Sequence, residues 1–134
     1  VAVDDVGRVI NPLIVDGQTH GSIATGLGQA LFEQCVIEPD SGQPISGSLM
    51  DYTLPRAHDF PMFSTAFNEV FSPTNPLGIK SGGEGPTTPA LAVAINAIVN
   101  ALRDYGVRDI EMPATPFRVW TAIRKAQESS RDVS

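Results

Sequence analysis

The chain has 134 residues, of which 9 are basic and 15 acidic, for a formal net charge of −6. That length suffices for one domain with a core of its own, and the acidic balance without a basic run argues against a nucleic-acid or anionic-membrane partner. A single cysteine, Cys35, rules out a disulfide framework or a cysteine-based zinc site within the chain.

The first ten residues, Val1 to Ile10, alternate in polarity around a turn signal at Asp5-Val6-Gly7-Arg8. This pattern predicts a β-hairpin, which Asn11-Pro12 then ends. Because the alternation starts at Val1, without an initiator methionine or a preceding turn, we expect the chain to be a fragment of a longer polypeptide.

A first helix is predicted after Asp16 and Gly17. Apolar residues recur with a helical period from Ile23 to Cys35, and Asp16 is of a type that caps helix N-termini. Three glycines in this stretch each cost up to about 1 kcal/mol relative to alanine. We therefore expect another group to approach the helix backbone closely at these glycines, which are Gly21, Gly26 and Gly28.

The middle of the chain predicts β structure interrupted by loops. Pro39-Asp40-Ser41-Gly42 lies between two short β-prone runs and predicts a second hairpin. Residues 51–61 are predicted to be irregular, residues 63–71 alternate as a strand, and the prolines of residues 72–78 predict a loop.

A second helix is predicted from Pro89. Its apolar stripe repeats with a helical period and alanines occupy the adjacent face, so we expect it to be mostly buried. Thr87 or Thr88 is the expected cap, and Gly106 suits the left-handed position that follows a helix.

The end of the chain predicts a short strand at residues 107–112 and a third helix, which Thr115 caps. Residues 126–134 are predicted to be a disordered tail. The order of elements predicts an α+β fold, in which short β-hairpins and mixed strands pack with three helices over residues 1–125.

Familiar cofactor and catalytic signatures are not found in the sequence. The run GLGQAL lacks the third glycine of a dinucleotide fingerprint, and GIKSGGEG has the Lys-Ser pair of a phosphate loop without its glycine spacing. His20 and His58 form no zinc motif, so no metal ligand is predicted.

One candidate binding residue is Gln18, predicted in the first turn of the first helix. Unpaired backbone N–H groups and the helix dipole favour an anion there, and a side-chain amide both donates and accepts hydrogen bonds. A phosphate or a polar heterocycle would fit this site. The alternative is that Gln18 is a solvated residue and that the nearby glycines serve helix packing alone.

The second candidate is Glu84, in Lys80-Ser81-Gly82-Gly83-Glu84-Gly85-Pro86. The flanking glycines leave no side chain to crowd the carboxylate, so it can face a cavity and act as a base. The positive end of the following helix favours the ionised carboxylate, whereas burial opposes it. The alternative is a loop acid that helps to cap a helix.

Four segments carry a family resemblance. In order, they are DGQTHGSIATGLGQALFE, GSLMDYTLPRA, SPTNPLGIKSGGEGPTTPALAVAINAI and ATPFRVW. Together they resemble the C-terminal part of the large, molybdopterin-binding subunit of the molybdenum hydroxylases, a family that includes xanthine oxidase, aldehyde oxidase and aerobic carbon monoxide dehydrogenase. They are most similar to the bacterial carbon monoxide dehydrogenase-like branch.

The resemblance implies a catalytic residue. The family's K-x-x-G-E segment matches Lys80, Gly83 and Glu84. Glu84 is therefore expected to be the catalytic base beside molybdenum, and Gly83 is expected to lie against the cofactor.

The resemblance also implies contacts to the cofactor from the first helix. A Q-x-x-G motif that contacts molybdopterin in the family matches Gln18 and Gly21. Thr25 stands where many relatives have a second glutamine, so no role is carried onto it.

The cofactor and partners follow from the same resemblance. The expected cofactor is molybdopterin in its cytosine dinucleotide form, with electrons leaving through iron–sulfur clusters and FAD on partner domains or subunits. Water would supply the oxygen added to a small-molecule substrate. We expect a cytoplasmic protein without nucleic-acid or membrane partners, in which this chain is inactive and tends to self-associate without the remainder of the subunit. The alternative is a non-catalytic interaction domain or split subunit that keeps the fold.

Overall fold

The computed structural model describes residues 1–131 of the chain. In order, its elements are β1 (Ala2–Asp4), α1 (Pro12–Leu31), α2 (Leu49–Tyr52), a 3₁₀ turn (Ala57–Asp59), β2 (Thr65–Phe67), α3 (Thr87–Ala101), a second 3₁₀ turn (Arg103–Tyr105) and α4 (Pro116–Arg131). Two compact units are formed, the first by Val1–Gly26 with Arg56–Ala90 and the second by Leu27–Pro55 with the residues from Leu91 onward. None of the described helices is both long and apolar enough to cross a membrane.

The predicted α+β class is confirmed. Three long helices and one short two-stranded sheet make up most of the regular structure of residues 1–131. The three predicted helices correspond to α1, α3 and α4, and α2 is a single turn whose last two residues fall within residues 51–61, the region predicted to be irregular.

The sheet is not the hairpin predicted for the first ten residues. β1 pairs in parallel with β2, with Val3 opposite Ala66. The predicted turn is present, because the Asp5 carboxylate accepts the backbone N–H of Gly7 at 2.9 Å. Beyond the turn, Gly7 forms an antiparallel bridge with Ile79 rather than leading back onto β1. The hairpin prediction was wrong because alternation does not identify a strand's partner when that partner is distant in sequence.

The second predicted hairpin is confirmed in a short form. Ile37 and Pro44 make one antiparallel bridge, and the Glu38 carboxylate accepts the Ser41 N–H at 2.7 Å within the loop. The strand predicted at residues 63–71 is present only as β2, since β1 offers three residues for pairing.

Helix α1 begins earlier than predicted. Asn11 is its N-cap, because Asn11 Oδ1 accepts the Ile14 N–H at 3.3 Å, and Pro12 takes the first helical position, where a missing N–H costs nothing. Asp16 is therefore not the cap, and its carboxylate instead accepts the Thr65 hydroxyl at 2.6 Å. The Asn-Pro pair, interpreted as a break, is a helix start.

Helix α3 is less buried than predicted. Ala90 is its one buried residue, and Val93 is 64% exposed. A helix that is apolar on several faces needs cover on each of them, and residues 1–131 do not supply it. The predicted cap also differs, because α3 starts at Thr87 and this residue lies inside the first turn.

The second unit confirms the predicted cap of α4 and the left-handed Gly106, but Gly106 ends the 3₁₀ turn Arg103–Tyr105 rather than α3, and the predicted strand is not present. Gly106 is left-handed, with φ of 86°, and Thr115 Oγ1 accepts the Arg118 N–H at 3.3 Å at the start of α4. Residues 107–112 are irregular. Both described strands belong to the first unit, so this segment has no strand to pair with in its own unit.

Helix α4 continues to Arg131, so residues 126–131 are helical and not part of a disordered tail. Arg124 and Glu128 form an i,i+4 ion pair at 3.5 Å, and alanine, glutamine and glutamate in this stretch favour a helix. Residues 132–134 of the predicted tail lie outside the described residues.

Helix α1 approaches the start of α3 closely at Gly26. A Cβ atom built on Gly26 would lie 2.5 Å from the Thr87 carbonyl oxygen and 2.8 Å from the Ala90 Cβ. The close approach predicted from the glycines is therefore confirmed at Gly26 and at Gly28, whereas Gly21 has no atom within 4 Å of the same position.

We expect Gly26→Ala to lower the free energy of unfolding by about 1–3 kcal/mol, because the added methyl group meets backbone that moves only if α3 shifts. Gly17→Ala is the matched control, since no atom lies within 4 Å of its added methyl group. Its better helix propensity is expected to raise stability by about 0.5–1 kcal/mol. Urea denaturation measures both variants, and equal effects would contradict the close packing at Gly26.

Candidate functional site

Glu84 lies in a glycine-rich loop, residues 80–86, directly before α3. Its backbone carbonyl accepts the Thr87 N–H at 3.1 Å, which joins the loop to the first turn of the helix. The Glu84 residue is exposed, and its carboxylate has no hydrogen bond or ion pair with any residue in the described part of the chain. The side chain therefore does not cap α3 and is available to a ligand.

A hydrogen bond ties this loop to α1. Ser22 Oγ donates to the Gly83 carbonyl at 2.8 Å, and Ser22 is 8% exposed. Gln18 lies one helical turn before Ser22 and Gly21 directly before it, so the three share one face of α1. The structure thus brings two of the predicted cofactor-binding residues to the face of α1 that is bonded to the Glu84 loop.

The other side of the loop is held by the turn that follows β1. The Lys80 N–H donates to the Val6 carbonyl at 2.8 Å, and Lys80 Nζ donates to Asp5 Oδ2 at 2.5 Å. A Cβ atom on Gly82 would lie 2.5 Å from Val6 Cγ1, so a larger residue does not fit at this approach without rearrangement. The loop is therefore anchored before Glu84 as well as after it.

The ion pair with Lys80 favours the ionised form of Asp5. The hydrogen bond from Lys80, aided by those from the backbone N–H groups of Gly7 and Val70, lowers the pKa of the Asp5 carboxyl below its usual value. The ionised Asp5 compensates the charge of Lys80, and the lowered pKa extends this pairing to more acidic pH.

Asp4 is a carboxylate near the loop that the sequence prediction missed. Its Oδ1 accepts the Asp5 N–H at 2.9 Å, while its Oδ2 is buried without a hydrogen-bond partner among the described residues. This oxygen lies 3.2 Å from the position that a Cβ atom would take on Gly85, the residue after Glu84. The Asp4-Asp5 pair was visible, but its interpretation as part of a hairpin gave no reason to place it near Glu84.

The predicted cofactor-binding residues are accessible, although not for the predicted reason. Gln18 is exposed, but α1 begins at Pro12, so Gln18 lies beyond the first turn and its unpaired N–H groups. The prediction that Gln18 lies in the first turn is therefore wrong. Gly21 and Gly83 each have no atom within 4 Å of the position of a Cβ atom. A ligand therefore has room to approach both backbones.

A cavity elsewhere in the chain does not involve these residues. It has a volume of about 420 Å³, lies in the second unit and is lined by residues between Gly106 and Ala126. Neither Glu84 nor Gln18 lines it, and the cavity that Glu84 is expected to face stays a prediction. Within residues 1–131, no three His, Cys, Asp or Glu side chains are grouped so that they could hold a metal ion.

Comparison with known protein sequences gives a family model and several relatives. Residues 1–61 match the molybdopterin cofactor-binding domain. The chain is 39% identical to the putative xanthine dehydrogenase molybdenum-binding subunit of Escherichia coli K12 and 35% identical to the carbon monoxide dehydrogenase large chain of Hydrogenophaga pseudoflava, in each case over 124 residues. These alignments cover 92% of this chain, but 16% and 15% of the two relatives.

A solved structure agrees with the sequence matches. Quinoline 2-oxidoreductase from Pseudomonas putida 86 superimposes with a TM-score of 0.84 at 38% identity, over 92% of this chain and 16% of that protein's chain. The chain therefore spans about 16% of the length of the proteins to which it is similar.

We expect Lys80→Met to raise the pKa of Asp5 toward that of an ordinary carboxyl, because Lys80 is the largest cause of its depression. Since the folded-state pKa lies below the unfolded value, ionised Asp5 contributes stability that is present above about pH 4 and is lost as the pH falls through the folded-state pKa. In Lys80→Met this acid-sensitive contribution should shrink.

NMR titration of the Asp5 carboxyl checks this expectation. Lys125→Met, which removes a lysine from α4, is the control and should leave the titration of Asp5 unchanged. An Asp5 pKa that is the same in Lys80→Met as in the unmodified protein would contradict the role of the ion pair.

Proposed function

The chain belongs to the molybdenum hydroxylase family, as part of the molybdopterin-binding region of the large subunit, and we propose that Glu84 is the catalytic base of the complete enzyme. That enzyme would oxidise a small substrate by two electrons and take the added oxygen from water. One observation carries the proposal: Glu84 is an exposed, unpaired acid in a loop bonded to the α1 face that contains Gln18 and Gly21.

A general base needs a reachable carboxylate that is held in place. Gly83 and Gly85 place no side chain next to Glu84, and no described residue forms a hydrogen bond or ion pair with its carboxylate. Anchors at Lys80 and Thr87 restrict the loop on both sides. In the complete enzyme, Glu84 would accept the proton that is released as oxygen from water is transferred to the substrate.

The described residues fit a molybdopterin group in this region. Gln18 presents an exposed amide that both donates and accepts hydrogen bonds, as the polar edge of a pterin requires. Gly21 and Gly83 leave room for close approach to the backbone. The buried Asp4 Oδ2, which has no hydrogen-bond partner among the described residues, could accept a hydrogen bond from a group bound beside the loop.

The cofactor, when bound, supplies the redox centre that takes up the two electrons. We infer the cytosine dinucleotide form of molybdopterin, with iron–sulfur clusters and FAD on partner domains or subunits to carry the electrons away. These inferences, and a cytoplasmic location, rest on the family resemblance. The substrate is inferred only as a small molecule.

We infer that the chain is inactive without the remainder of the subunit. Large apolar residues of the first unit are strongly exposed, and these include Val3, Ile10, Leu13, Ile14 and Met62. Apolar exposure of this extent is typical of surfaces that other protein covers. It supports a chain that other protein covers, with self-association in isolation; an interaction domain or split subunit that docks on a partner would expose such a surface too, and the Glu84→Gln variant separates the two.

In the complete enzyme, we expect Glu84→Gln to lower kcat by about 100-fold or more, because the amide no longer accepts the proton. Cofactor content should stay the same, since the substitution conserves shape. Turnover and molybdenum content are measured on the same preparation. Glu128→Gln, at an exposed acid of α4, is the control and should retain full activity. Near-normal turnover of a fully loaded Glu84→Gln enzyme would refute the assignment.

We expect Gln18→Ala to weaken cofactor binding by about tenfold, the effect of losing a hydrogen bond to a charged or polar ligand. The measurement is the molybdenum and pterin content of the purified subunit. Gln29→Ala changes an exposed glutamine further along α1 and is the matched control. Equal cofactor content in the two variants would remove Gln18 from the proposed contacts.

A further inference from the structure

We propose that Ser22 is a positioning residue for Glu84, acting through its hydrogen bond to the Gly83 carbonyl. The inference rests on the proposed role of Glu84 as the base. It assigns a function to a side chain that the family motifs noted above leave without one.

The Ser22 hydroxyl is placed for this role by its burial. Ser22 is 8% exposed, and its Oγ donates at 2.8 Å to a carbonyl 61 residues away in sequence. Thr19 and Thr25, on the same helix, use their hydroxyls differently, since each donates to the carbonyl four residues earlier in α1. Ser22 therefore differs from these two residues, because its hydroxyl bonds to a residue outside α1.

The hydrogen bond reaches the loop where the loop is otherwise weakly held. Helix α3 holds only the end of the loop, where the Thr87 and Ala90 N–H groups donate to the carbonyls of Glu84 and Pro86. Among the described residues, the Ser22 bond is the one hydrogen bond to residues 81–86 from an element other than α3. Gly82, Gly83 and Gly85 make this stretch costly to order, because glycine loses the most backbone freedom on folding. A contact at Gly83 therefore restricts the backbone next to the catalytic carboxylate.

The position of Ser22 on α1 connects the base with the cofactor face. Gln18 and Gly21 lie on the same face, one turn before and directly before Ser22. A bond from this face to Gly83 fixes Glu84 relative to the residues proposed to hold the cofactor. Displacement of a catalytic group by about 1 Å costs up to about 100-fold in rate, so a loss of this bond should affect turnover more than binding.

The test uses the complete, cofactor-loaded enzyme with Ser22→Ala. We expect kcat to fall about tenfold while KM and molybdenum content stay unchanged. Hydrogen exchange of the Thr87 amide, which donates to the Glu84 carbonyl, should become several-fold faster when measured by mass spectrometry in cofactor-free enzyme, because a looser loop breaks this bond more often. Thr121→Ala is the control, because it removes a hydroxyl that bonds only to the carbonyl four residues earlier in α4, and it should change neither quantity.

Ser22→Cys provides a second variant, with nearly the same volume and a weaker donor. It should show intermediate kcat and exchange, and it keeps the test valid if Ser22→Ala does not fold. The inference is overturned if amide exchange and kcat are unchanged in both variants, or if the variants lose molybdenum, which would make Ser22 a residue of cofactor retention. Either result is distinct from failure of the proposed base, which would show as near-normal turnover in a fully loaded Glu84→Gln enzyme.

Discussion

The pairing of residues 5–8 with residues 78–80 is the constraint on which the candidate site depends. Gly7 has φ of 67°, and a Cβ atom there would collide with the Gly78 carbonyl. The same carbonyl accepts the Arg8 N–H at 3.0 Å, and the Arg8 guanidinium lies 4.7 Å from the centre of the Phe71 ring. The turn after β1 thus sets where the chain enters the loop that carries Glu84. The Lys80 ion pair and the Ser22 hydrogen bond then act on a loop whose start is already placed.

Local sequence signals predicted the elements whose causes lie within a few residues. The cap at Thr115, the left-handed Gly106 and the loop at Pro39–Gly42 are of this kind. The pairing of β1 could not be predicted in the same way, because its partner β2 is about 60 residues later in sequence, after α1, α2 and the loops between them. The same limit applies to the bond between Ser22 and Gly83, since nothing near either residue in sequence indicates the other.

Gln18 shows how a candidate residue can be retained while its physical reason changes. The sequence placed it at a helix start because Asn11-Pro12 was interpreted as a break, whereas that pair caps and begins α1. The unpaired N–H groups of the first turn are therefore far from it along the helix. What recommends Gln18 in the structure is its exposed amide, on the face that Ser22 connects to the Glu84 loop. The family resemblance supports Gln18 regardless of where α1 begins, because the motif match depends on the residues and not on the helix boundary.

Cover by other protein would explain both the exposure of Glu84 and that of the apolar residues nearby. Leu77 and Ile79, just before the loop, are 56% and 40% exposed, and covering such side chains is favourable because it removes apolar surface from water. The same cover would exclude water from the loop, and electrostatic interactions between a base and its reactants strengthen when water is excluded. A loop that pairs a free acid with uncovered apolar neighbours is therefore suited to a site whose remaining walls come from other protein. This is the arrangement expected for a chain that spans about 16% of its relatives.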